Sequence, residues 1–218
     1  MALPDNPYIA YAIQHSTAED DILSGLNRET HLTTVYPNML SGPLQGKFLE
    51  MISRMLKPRR ILEIGTFTGY SGICLARGLA NDGILHTIDI NDETMVTARR
   101  YFKLAGLEKK VVLHTGNALE VIPALDEVFD LAFIDGDKEL YIPYYHAVFD
   151  KLKTGGFIIA DNVLWGGKVL QGLKNSDKET RGILEFNKFV AEDIRIEKLL
   201  IPLRDGLFLI RKITGLIV

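Results

Sequence analysis

A chain of 218 residues, 47% of them apolar, can close a sizeable core without metal or disulfide staples, and a single domain spanning 1–218 is expected. The formal net charge of −3 argues against attachment to nucleic acid through a broad basic face, which leans on clustered Lys and Arg. The lone cysteine, Cys74, excludes an internal disulfide, no apolar run approaches the roughly 18 residues of a membrane span, and the N-terminus lacks a secretory pattern, so a cytoplasmic protein is expected.

In chain order, residues 8–56 read as helical, with Leu44, Phe48, Met51, Ile52 and Met55 on one face behind Ser41, and Pro43 in the first turn. Strands are predicted at 60–65, 83–89, 111–116, 129–135 and 156–161. Helices are predicted between them at 70–79, at 92–104 behind Asn91 and closed by Gly106, and at 139–152 closed by Gly155. The apolar neighbours of Cys74 place it on the buried face of the first of these. A charged helix at 178–193 follows, then two apolar runs flanking Arg204-Asp205-Gly206 that read as a β-hairpin. Near-continuous apolar strands alternating with helices imply a Rossmann-like, doubly wound α/β sheet, with extra N-terminal helices and an antiparallel edge pair.

The glycine-rich stretch LEIGTFTGYSG sets Gly65 and Gly69 directly after the first strand, where a ligand can approach the main chain. Phe67 stands where a dinucleotide fingerprint needs its second glycine, which disfavours a nicotinamide oxidoreductase. Glu63 lies in that strand, and Asp89 ends the next one, 24 residues after Gly65, where a carboxylate meets ribose hydroxyls. An adenosine-type ligand without phosphates fits these features. The alternative is that the two acids cap helices or pair with Arg60 and Arg99.

FIDGDK and IIADN end the fourth and fifth strands, so Asp135, Asp161 and Asn162 converge at the strands' C-terminal ends. Three oxygen donors without His or Cys suit a hard divalent cation, Mg²⁺ first, with Mn²⁺ or Ca²⁺ as alternatives; the competing reading is three helix caps. Lys138, three residues beyond Asp135, points back to the same place. A nearby cation lowers an ammonium's pKa and prepares Lys138 as a base, whereas without one it is an ordinary solvated lysine.

The segments LEIGTFTGYSGICLA, IDIN, GNALEVIPAL, FIDGDKELYIPYY and GGFIIADNVLWGGKV resemble class I S-adenosylmethionine-dependent O-methyltransferases of the cation-dependent caffeoyl-CoA and catechol type, over about Met39 to Arg211. The resemblance implies a seven-stranded sheet of order 3-2-1-4-5-7-6 with the last strand antiparallel, and a single methyltransferase domain whose segment 1–56 packs on the core. It places Met39, Glu63, Gly65, Thr66, Ser71, Asp89, Ala118 and Asp137 around S-adenosylmethionine (SAM), whose demethylated product is S-adenosylhomocysteine (SAH). It makes Asp135, Asp161 and Asn162 the metal ligands, Lys138 the general base, with Asp135 in the catalytic pair, and Trp165 a wall of the acceptor site. Gly136 replaces the alanine of plant members between the two acids. The implied reaction methylates a hydroxyl of a small aromatic, catechol-like acceptor, and a homodimer is expected. The rival acceptor is a hydroxylated uridine of tRNA, for which Lys168, Lys174, Lys178 and Arg181 would supply a local basic surface. A catalytically silent interaction protein would have no need of the Asp135, Lys138, Asp161 and Asn162 set.

Overall fold

The computed structural model describes residues 7–171 and 177–213, within which seven strands form one sheet of order β3-β2-β1-β4-β5-β7-β6. The elements gather into two compact units, residues 7–117 and residues 118–213. No helix among the described residues is long and apolar enough to cross a membrane.

The first unit begins with α1 (Pro7–Gln14), α2 (Asp21–Thr33), a 3₁₀ turn at Pro37–Met39 and α3 (Gly42–Leu56). The helical stretch expected over 8–56 is thus three helices, and Asp20 starts the second by accepting the Leu23 N–H at 3.0 Å. Ser41 precedes α3 in helical backbone and makes no side-chain capping bond, while Pro43 fills the first turn as expected. Then follow β1 (Arg60–Ile64), α4 (Tyr70–Ala76), β2 (Ile84–Asp89), α5 (Asp92–Leu104) and β3 (Val111–Thr115), with all three strands parallel. The predicted α5 has the observed bounds, and Asn91 accepts the Glu93 N–H at 2.9 Å. The first four residues after Arg60 in β1 are buried, as are Ile73, Cys74 and Leu75 of α4 beside them, and burial pushes the Cys74 thiol pKa up.

The second unit holds α6 (Ala118–Ala124), β4 (Phe129–Ile134), a 3₁₀ turn at Lys138–Leu140, α7 (Tyr141–Lys151), β5 (Leu152–Ala160), a 3₁₀ segment at Trp165–Leu170, α8 (Lys178–Glu192), β6 (Ile196–Ile201) and β7 (Leu207–Lys212). β4 and β5 are parallel, whereas β7 runs antiparallel to β5 and to β6, which is the expected edge hairpin. The helix expected over 139–152 does end near its predicted limit, at Lys151, but Gly155 does not close it: at φ 79° it lies inside β5, which starts at Leu152 rather than at 156. The pairing steps from Phe129↔Leu152 to Leu131↔Phe157, so the glycine accommodates extra residues in a bulge rather than terminating a helix.

Candidate active site

In the first unit the chain turns sharply after β1, with Gly65 at φ 97° and Gly69 at φ 94°. Phe67 also takes left-handed backbone, at φ 48°, and its N–H donates to Asp89 Oδ2 at 2.7 Å. Asp89 Oδ1 accepts the Asn91 N–H at 2.9 Å. Each oxygen of a carboxylate has two lone pairs, so these bonds fix the orientation of Asp89 and leave capacity for further donors. Asp89 is half-buried at the C-terminal end of β2.

Glu63 is fully buried. Its oxygens accept from Ser71 Oγ and Thr87 Oγ1, both at 2.6 Å, and Thr87 in turn lies 2.6 Å from Thr66 Oγ1. Glu63 therefore braces the glycine loop and the start of α4 from beneath. Thr66 and Ser71 belong to this buried network, whereas Met39 is 60% exposed at the end of its 3₁₀ turn. Thr87 is a member that the sequence reading missed. Its signal is the parallel register, which sets it directly beside Glu63.

In the second unit Ile134 and Ala160 are register partners, and the Asp161 N–H donates to the Ile134 carbonyl at 2.9 Å. Asp135 and Asp161 thus leave adjacent strand ends at the same level. Asp161 is buried, its Oδ1 accepts the Asn162 N–H at 2.7 Å, and Asn162 sits in left-handed backbone at φ 57°. Asn tolerates that region better than most residues, so the turn itself has a local reason for asparagine.

Lys138 is buried rather than solvated. Its Nζ donates to Asp135 Oδ1 at 2.9 Å and to the Tyr141 hydroxyl at 2.8 Å, and that hydroxyl donates to the Asp161 carbonyl at 3.0 Å. Tyr141 ties the lysine of one strand-end loop to the backbone of the other. The sequence reading missed it, although its spacing of three from Lys138 places both on one side of the turn. Burial works against the Lys138 ammonium, but Asp135 and Tyr141 outweigh it and raise the pKa above the ordinary lysine range. The chain alone therefore holds Lys138 protonated. Burial likewise pushes the Tyr141 phenol up, against the pull of Lys138.

α8 passes close to this lysine. A Cβ on Gly182 would lie 2.4 Å from the Lys138 carbonyl oxygen, which is a contact only glycine permits. Trp165, also in left-handed backbone at φ 47°, has its ring centroid 5.8 Å from Lys138 Nζ, and its buried indole N–H has no hydrogen-bond partner among the described residues. Asp137 is exposed and accepts the Glu139 N–H at 3.0 Å, and Ala118 is buried as the first residue of α6. Of the basic set, Lys168 pairs with Asp177 at 2.8 Å, Lys178 and Arg181 are exposed, and Lys174 lies outside the described residues.

Asp135, Asp161 and Asn162 offer two carboxylates and one amide, and among the described residues no three His, Cys, Asp or Glu form a ligand cluster. An all-oxygen set of this kind fits Mg²⁺, Mn²⁺ or Ca²⁺ and not zinc. Asp205, in the turn between β6 and β7, also faces this set: its Oδ2 lies 3.4 Å from Asn162 Nδ2. The sequence reading treated it as a turn residue only.

The sequence pattern of the O-methyltransferase family matches residues 13–213. Caffeoyl-CoA O-methyltransferase 5 of Nicotiana tabacum is 35% identical over 187 residues, which cover 81% of this chain and 78% of the tobacco protein. Among solved structures, the O-methyltransferase TomG of Streptomyces achromogenes, involved in tomaymycin synthesis and in complex with SAM, superposes with a TM-score of 0.89 at 31% identity over 96% of this chain and 97% of that one. The O-methyltransferase of Bacillus cereus, in complex with SAH, gives a TM-score of 0.85 at 28% identity over 94% of this chain and 97% of that one. With a fold in the expected strand order, acids ending its strands, and a family pattern that runs nearly end to end, the chain belongs to the O-methyltransferase family.

Proposed function

We propose that this SAM-dependent O-methyltransferase transfers the methyl group of SAM to one hydroxyl of a vicinal dihydroxy aromatic acceptor, of the catechol, caffeoyl or flavonoid type, with the help of a divalent cation. The observation that carries the reading is the pair of adjacent strand ends, Asp135 after β4 and Asp161-Asn162 after β5, linked through Lys138 and Tyr141. Two buried or half-buried acids beside one amide are a costly arrangement for a strand end that needs only capping. A metal is a physical reason for them.

Asp89, the loop at Gly65, Thr66 and Gly69, and Ser71 are the groups we assign to SAM from the first unit, with Glu63 holding that loop in place. Met39, Ala118 and Asp137 complete the proposed cofactor set. Asp89 keeps lone pairs for the two ribose hydroxyls after its bonds to Phe67 and Asn91.

Asp135, Asp161 and Asn162 would hold the cation. When bound, it would acidify an acceptor hydroxyl and offset the hold of Asp135 on the Lys138 ammonium. Once its own proton has passed to solvent, the neutral Lys138 amine would take the acceptor's hydroxyl proton at Nζ, with Tyr141 fixing its position. The acceptor oxygen would attack the SAM methyl carbon, forming the O–C bond as the C–S bond breaks and its electron pair returns to sulfur, and neutral SAH leaves. Trp165 offers a ring face to the aromatic acceptor and an unpaired indole N–H to one of its oxygens.

The test is methyl transfer from labelled SAM to a panel of catechols and caffeoyl esters, and to bulk tRNA, each with Mg²⁺ or with EDTA. Transfer to a vicinal diol that needs Mg²⁺ is expected, with SAM binding retained in EDTA. Full-rate methylation of a catechol by demetallated enzyme would show that the strand-end acids only cap. Methylation of tRNA alone would replace the acceptor.

A further inference from the structure

We infer that Asp205 is a positioning residue that decides which end of the Asn162 side-chain amide is presented as a ligand. The inference rests on the cation reading above and assigns a role to a residue 43 positions away in sequence.

The loop after β5 is held in an improbable shape. Asn162, Trp165, Gly166 and Gly167 have φ of 57°, 47°, 60° and 78°. Left-handed backbone at non-glycine residues persists only where the surroundings over-determine it. Here the surroundings are the β6–β7 turn. The Val163 N–H donates to the Gly206 carbonyl at 3.2 Å, and the Leu164 N–H donates to the Asp205 carbonyl at 2.8 Å. The Gly166 N–H donates to Asp205 Oδ1, while Asp205 Oδ2 faces Asn162 Nδ2 at 3.4 Å. Gly206, at φ 84°, allows the approach, since a Cβ there would sit 2.5 Å from Leu164 Cγ.

An asparagine amide carries an acceptor on one branch and two donors on the other, whereas a carboxylate only accepts. Asp205, with one oxygen anchored on Gly166, therefore attracts the NH₂ branch of Asn162 even across a long contact. The amide oxygen is left on the opposite branch. A hard cation binds that oxygen and has no use for the NH₂. Without the carboxylate the amide has no such reason to keep its oxygen available.

The experiment titrates Mn²⁺ into the full chain by calorimetry and by loss of the free-ion paramagnetic resonance signal, with SAH affinity as the control. Asp205→Asn places a donor against the Asn162 NH₂ and turns the amide over. Loss of an outer partner of a metal ligand typically costs about 10- to 100-fold in affinity, and that loss is expected with SAH binding unchanged. Asn162→Asp is then measured in both backgrounds. Beside Asp205 it sets two carboxylates against each other, but in the Asp205→Asn protein its carboxylate accepts from the new amide and Mn²⁺ affinity should recover to within about threefold of wild type. If Asp205→Asn alone does not fold, the reversed pair, which keeps the net charge, is measured in its place.

The inference is overturned if Asp205→Asn binds Mn²⁺ as wild type does, or if Asn162→Asp changes affinity equally in both backgrounds. If the wild-type protein binds SAH but no Mn²⁺, the cation reading itself fails, and that outcome is distinct from either.

Discussion

Replacing Tyr141 by Phe removes one oxygen from a fully buried site and tests the link between the two strand-end loops directly. The hydroxyl accepts from Lys138 Nζ at 2.8 Å and donates to the Asp161 carbonyl at 3.0 Å. A neutral hydrogen bond is worth about 1 kcal/mol net and one to a charged group about 1.5–3 kcal/mol, so the two together come to about 3 kcal/mol. The ring stays edge-on to Phe186, and the substitution opens little space, so no large cavity cost is added. For a chain of this size each kcal/mol moves Tm by roughly 2–4 °C, which puts the expected drop at roughly 6–12 °C by calorimetry. Lys138 keeps Asp135 but loses its second anchor, so kcat should fall while the affinity for SAM stays as it was. A variant whose unfolding free energy changes by less than about 0.5 kcal/mol, the range of ordinary surface substitutions, would refute the bridging geometry.

Asp89→Ala should weaken SAM binding severely in calorimetry, because the carboxylate both orders the Phe67 turn and faces the proposed ribose position; unchanged affinity would move the ribose elsewhere. Lys138→Ala should fold, keep its SAM affinity and lose about 10² to 10⁴ in turnover at neutral pH, with part regained as pH rises and acceptor hydroxyls ionise unaided; wild-type turnover across the pH range would remove it from the reaction. Asp193 is buried and accepts bonds from Arg195 and Tyr145, and chiefly the Arg195 guanidinium holds its pKa down to about 2. The folded value lies below the unfolded one, so about 2 kcal/mol of stability is present above pH ~4 and is lost as pH falls toward 2. Asp193→Asn should remove that part of the acid dependence in urea titrations, and an unchanged slope between pH 4 and 2 would contradict it. Tyr11, Leu32, Val35 and Tyr36 of the N-terminal segment are exposed apolar residues that a homodimer would bury, and a dimer is the expected outcome of sedimentation at micromolar concentration; a strictly monomeric profile would argue against it.

Much of this protein is written locally. The mostly apolar runs that end at Ile88, Ile134 and Ala160 mark the buried strands, because a strand covered on both faces is largely apolar, and the aspartate that follows each run is therefore conspicuous. That is why Asp89, Asp135 and Asp161 are conspicuous in the sequence itself, and why Asn91 and Pro43 mark helix starts. Gly155 misled because glycine serves helix ends and bulges alike, and only the pairing of β4 with β5 decides between them. The charge state of Lys138 was equally out of reach. It depends on Tyr141, on the Asp161 carbonyl 20 residues beyond it, and on how closely α8 passes at Gly182. Asp205 looked like any turn residue, because its partners lie on a loop brought near only by β7 pairing with β5. Periodicity and chain-local turn chemistry fix where an element stops, but which distant group meets it there depends on the order of strands in the sheet, and burial then sets the protonation of what has been brought together.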